Sequence, residues 1–149
     1  MAKAPDGPSG RADQVMSEFR SVTADFYVSP QIAPADLVRA KSQGFALVIN
    51  NRPEGESADQ PPASEIEAAA RAEGLDYLHI PVVGRPTPEQ AAAVAGAASG
   101  RRTLAFCRSG TRSITAWALG ELAAGAKSRG ELIALAAAAG YDLSAALPG

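Results

Sequence analysis

Short apolar runs alternate with helical patterns along this chain, and that alternation leaves few folds open. Residues 26–29 (Phe-Tyr-Val-Ser) are aromatic and β-branched and stop at Pro30, as a first strand does. Residues 45–50 (Phe-Ala-Leu-Val-Ile-Asn) form a continuous apolar run of strand length, the pattern of a central strand buried on both faces. Residues 77–82 and 103–106 supply two more strands. Helices fill the gaps. Pro34 stands at a first helical position, and Leu37, Val38 and Ala40 make a stripe that ends at Gly44. Ser64 with Glu67 reads as a capping box opening a helix that Gly74 closes, and Thr87-Pro88-Glu89-Gln90 is a second such start, stopped by Gly100. Two further helices are expected over about 113–124 and 128–139, before Gly140 and Tyr141 lead into a short last turn.

This order predicts a layered α/β fold with a mostly parallel central sheet, in which ligands bind beyond the carboxyl ends of the strands. Three loops leave that edge: the polar stretch 51–62, the Gly84-Arg85 turn, and the segment at Cys107. The 149 residues, 46% hydrophobic, suffice for one core without disulfides or metals. A single domain over 21–149 is expected behind a flexible leader over 1–20, which carries no apolar core of the secretory kind. A net charge of −2 gives no basic field for nucleic acid or an anionic membrane, and no apolar run is long enough to cross a bilayer. A cytoplasmic location is the expectation. With one cysteine and one histidine, neither an internal disulfide nor a Cys- or His-based metal site is expected, and no cofactor is implied.

The chemistry concentrates in Cys107-Arg108-Ser109-Gly110-Thr111-Arg112. A thiol at a strand-to-helix turn faces unpaired backbone N–H groups and the positive end of the helix dipole, which favours the thiolate. Cys107 is therefore read as a nucleophile and Arg112 as a fork onto an anion's oxygens. Ser109, Gly110 and Thr111 would offer mainly backbone amides, and Arg108 either its side chain or only its N–H. The substrate implied is a small anion. Arg85 could close over it from the neighbouring loop or be a solvated loop residue. Arg52 belongs either to the rim or to a structural pair with Glu54 or Glu56. Glu89 is explained by the dipole of the helix it opens, His79 reads as a packed or hydrogen-bonded histidine, and Trp117 as core.

Several of these stretches together carry a family resemblance. Tyr27-Val28-Ser29, the run from Gly44 to Glu54, Tyr77-Leu78-His79-Ile80-Pro81-Val82 and Thr87-Pro88-Glu89-Gln90 resemble, in that order, the dual-specificity branch of the protein tyrosine phosphatases. More narrowly, the chain is similar to the phosphatase-like domain of the β-lactamase-hydrolase-like proteins, also described as sulfur transferases. The resemblance implies a three-layer α/β/α domain and a phosphocysteine mechanism, with Ser113 donating to the thiolate or capping the following helix.

Two departures qualify it. Only four residues separate Cys107 from Arg112, where the phosphatases have five, and that shorter spacing is similar to the rhodanese loop of sulfurtransferases. The segment Val83-Gly84-Arg85-Pro86 also lacks the aspartate that protonates the leaving group in those phosphatases, a contribution of about 10²–10⁴ in rate. Three readings follow: a cysteine-dependent phosphatase acting on phosphate monoesters, a sulfurtransferase taking sulfane sulfur through a Cys107 persulfide, and a non-catalytic anion-binding module.

Overall fold

The computed structural model describes residues 18–149. Most of the leader expected over 1–20 lies outside the described residues, but Phe19 and Arg20 belong to the domain. Phe19 packs edge-on against Phe45, with ring centroids 5.9 Å apart, and Arg20–Ser21 forms a short strand, β1. The domain therefore reaches back past residue 21. β1 pairs antiparallel with β2 (Phe26–Ser29). There follow α1 (Asp36–Ser42), β3 (Leu47–Asn50), α2 (Ala63–Ala72), β4 (Asp76–His79), α3 (Pro88–Ala98), β5 (Thr103–Phe106), α4 (Thr111–Ala123) and α5 (Arg129–Ala138).

The sheet order is β1-β2-β5-β3-β4, and every pairing after the first is parallel. β3 and β5 are central, which is why both are buried at every position. Their side chains alternate between two cores. Leu47, Ile49 and Ala105 join Phe26, Val28, Val94, Ile114 and Trp117 under α3, α4 and α5. Val48, Leu104 and Phe106 join Leu37, Phe45, Ile66 and Tyr77 under α1 and α2. Helices cover both faces, giving the three layers expected. Trp117 lies in the first core as anticipated, stacked on Phe26 at 4.8 Å. Among the described residues, no helix is long and apolar enough to cross a membrane and no His, Cys, Asp and Glu cluster could hold a metal ion.

The helix starts differ in an informative way. At Thr87 the capping box forms in full: Gln90 N–H donates to Thr87 Oγ1 at 3.1 Å and Thr87 N–H donates to Gln90 Oε1 at 2.9 Å. The box expected at Ser64 and Glu67 does not form. α2 is capped two residues earlier, at Pro62, and its Ala63 N–H donates to Glu54 at 3.0 Å. A carboxylate from the preceding loop takes the place of the local cap, and Glu67 is spent on an ion pair with Arg71.

Candidate active site

β2, β5 and β3 end side by side, so the segment leaving β5 at Cys107 is flanked by Ser29 on one side and Asn50 on the other. The chain then turns sharply into α4, and Gly110 is the cap residue at φ +93°. Glycine takes that left-handed backbone without steric cost. It is also required for space: a Cβ there would collide with Tyr141 Oη and lie 3.1 Å from Tyr141 Cζ. α4 starts at Thr111, two residues before the sequence suggests, so Arg112 and Ser113 belong to its first turn.

The sulfur of Cys107 lies at the floor of this turn and accepts a hydrogen bond from Gly110 N–H at 3.1 Å. Cys107 is fully buried, so its sulfur has no contact with bulk water in the structure. The tight turn brings one of the loop's own amides, that of Gly110, onto the sulfur. The neighbours are nonetheless polar, and the positive end of α4 faces them. Ser109 and Thr111 are exposed on the rim, where their hydroxyls bond each other at 3.0 Å.

Arg112 is less available than its place in the motif suggests. Its Nη1 and Nη2 donate to Glu56 Oε2 and Oε1 at 2.7 and 2.9 Å, and Nη1 also donates to the Val82 carbonyl at 2.8 Å. Glu56 raises the pKa of this guanidinium, burial opposes that rise, and the Cys107 sulfur adds to it, so the cation stands between carboxylate and thiol. Glu56 in turn accepts from Arg52 Nε at 3.0 Å. Arg52 is buried and tied also to Gln31 and Ser57, and its carbonyl meets His79 Nε2 at 2.8 Å. Arg52 is therefore the anchor of the polar loop. His79 is hydrogen-bonded as expected, but on an exposed rather than a packed position.

Three other expected site residues stand apart. Ser113 neither caps α4 nor donates to the thiol: its hydroxyl is buried without a hydrogen-bond partner among the described residues. Arg108 is exposed, and no described residue accepts a hydrogen bond from its side chain. Arg85 is exposed too; with Pro86, Pro88, Leu119 and Leu122 it lines a groove of about 270 Å³, and no hydrogen bond ties it to the Cys107 loop. Glu89 is exposed in the first turn of α3, where the dipole accounts for it. Glu56 pairs with Arg52, one of the two partners expected for it, but its bond to Arg112 was not foreseen, and Tyr141 was not singled out as a site residue. The phenol of Tyr141 donates to the Ser109 carbonyl at 2.9 Å. Nothing in the sequence links loop 51–62 to Arg112, and Tyr141 lies 32 residues from its partner with no local pattern to mark it.

Comparison with known proteins gives one consistent answer. Residues 18–126 match the family described as the phosphatase-like domain of the Beta-lactamase hydrolase-like protein. The Beta-lactamase hydrolase-like protein of Xylella fastidiosa (strain Temecula1) is 37% identical over 123 residues, covering 80% of this chain and 28% of that protein. The chain thus spans under a third of the length of the curated relatives it matches. Among solved structures, a candidate phosphatase from Neisseria meningitidis Z2491 is 28% identical, with a TM-score of 0.74 over 85% of this chain and 91% of that one. Kinase associated phosphatase, solved with serine in place of its catalytic-site cysteine, shares the fold at 15% identity, with a TM-score of 0.66 over 83% of each chain. The fold is therefore that of the protein tyrosine phosphatases, and the chain belongs to the phosphatase-like domain family of the beta-lactamase hydrolase-like proteins.

Proposed function

We propose that this domain is a cysteine-dependent phosphatase that hydrolyses phosphate monoesters with good leaving groups. The observation that carries the reading is the Cys107 sulfur under the Gly110 amide, at the N-terminus of α4. In the proposed reaction the thiolate attacks phosphorus in line, the P–O bond to the leaving group breaks, and water then cleaves the phosphocysteine to release phosphate. Loop amides and the Arg112 cation oppose the charge that builds on the equatorial oxygens. The buried Ser113 hydroxyl is a further donor with no protein partner among the described residues. Because Cys107 is fully buried, phosphorus reaches bonding distance only if the loop around it opens.

The preference for good leaving groups follows from the acid that is missing. The loop after β4 offers Val83, Gly84, Arg85 and Pro86 and no carboxylate. Glu56, the carboxylate bound to Arg112, is held ionised with a pKa of about 2 and has no proton to give at neutral pH. Hydrolysis of an aryl phosphate should therefore exceed that of an alkyl phosphate by at least about 10², the lower end of what a general acid supplies. The activity should vanish in Cys107→Ser. Equal rates on both esters, or activity that survives the substitution, would refute the proposal.

One specific feature favours a second reading. Sulfane-sulfur transfer needs no general acid, because sulfite leaves unaided when the thiolate takes the outer sulfur of thiosulfate. The four-residue spacing from Cys107 to Arg112 is in keeping with it. A gain of one sulfur mass on Cys107 after thiosulfate treatment, with no aryl phosphate hydrolysis, would establish this reading in place of the first.

A further inference from the structure

Glycine at position 110 solves one problem and creates another. It allows the tight turn, but it leaves the Ser109–Gly110 peptide able to rotate as a unit, since glycine accepts both signs of φ. In a trans peptide the C=O and N–H point to opposite sides. One orientation puts an N–H on the sulfur; the flipped one puts a carbonyl oxygen there, opposing both a thiolate and a bound anion. In the structure both ends of this peptide are engaged. The Gly110 N–H donates to Cys107 Sγ at 3.1 Å, and the Ser109 carbonyl accepts from Tyr141 Oη at 2.9 Å.

We propose that Tyr141 is a positioning residue: by holding the Ser109 carbonyl outward, its hydroxyl fixes the neighbouring amide on the sulfur. The phenol is itself well held. Its ring is buried, the Arg20 guanidinium lies 5.3 Å from the ring centroid, and Arg20 is paired with Glu18 at 2.9 Å. Burial pushes the Tyr141 pKa up, Arg20 pulls against it and the charge of Cys107 adds to the rise, so the hydroxyl stays a donor through the neutral range. Tyr141 follows α5 and lies outside the stretch 18–126 that matches the family. The C-terminal segment of this chain thus contributes to a loop whose own sequence gives no sign of the dependence.

This inference rests on Cys107 as the reacting group, and its test is chosen to need no turnover. Tyr141→Phe keeps the ring and removes only the hydroxyl. Alkylation of Cys107 by iodoacetamide at neutral pH should slow by about tenfold, the scale of one hydrogen bond to a charged group. At a pH high enough to ionise any thiol, the variant and the parent should react alike. In ¹⁵N-labelled protein the Gly110 amide proton should move upfield, which reads the same peptide within the folded molecule. Equal alkylation at neutral pH overturns the proposal, as does a deficit that persists unchanged at alkaline pH, which would mean altered access to the sulfur. An unmoved Gly110 resonance overturns it too. Should Cys107→Ser instead retain aryl phosphate hydrolysis, the proposed function fails while this comparison still reports on the peptide.

Discussion

Glu56 binds two arginines at once, and its energetic role follows from what it would leave behind. Arg52 is 4% exposed, so removing the carboxylate strands a buried cation with only neutral partners. Glu56→Gln should lower stability by about 1–3 kcal/mol in denaturant titrations. The pH dependence has a definite sign. The carboxyl is held at about 2, against an ordinary 4.5, first by hydrogen bonds from Arg112 and then from Arg52, with burial opposing. A folded-state value below the unfolded one means that the stabilisation is complete above about pH 4.5 and fades as the pH falls toward 2. Glu56→Gln should flatten that part of the stability profile. At this scale the sequence was partly legible. Cys107, Gly110 and Arg112 stand out because a buried structural cysteine has no need of such followers. Glu56 stood out only as one of two possible partners for Arg52, because Glu54 and Glu56 look alike in a polar loop and only the folded path decides which one also meets Arg112.

The elements were legible where local chemistry sets their ends and less so where a distant residue does. Thr87, Pro88 and Gln90 cap α3 by themselves, and the helix starts where they say. The same kind of pattern at Ser64 was overruled by Glu54, nine residues before the amide it caps. β1 has two residues and no periodicity to read. The alanine richness of α3 suits its close contact with α4. Gly120 of α4 lies so close to α3 that a Cβ there would collide with the Ala91 carbonyl oxygen and come within 2.6 Å of Ala95 Cβ. Backbone cannot step aside as a side chain can. Gly120→Ala should therefore push the helices apart and cost about 1–3 kcal/mol by overpacking, against the small gain alanine brings to an isolated helix. Thermal melting checks this, and an unchanged or raised melting temperature would contradict it.

For the whole molecule, the parallel sheet is what gathers residues scattered along the chain. β2, β5 and β3 lie side by side, so their carboxyl ends bring Gln31, Arg52 and Cys107 to one edge, and Glu56 from the loop after β3 reaches Arg112 at the start of α4. In the proposed function, that assembly is what would make a buried cysteine a nucleophile. The most direct test is to mix the protein with an aryl phosphate, quench in acid within milliseconds, and weigh the peptide containing Cys107. A phosphate mass on Cys107 that appears before product and decays as phosphate accumulates is the expected result. Phosphate release with no adduct on that peptide at any time would contradict the account.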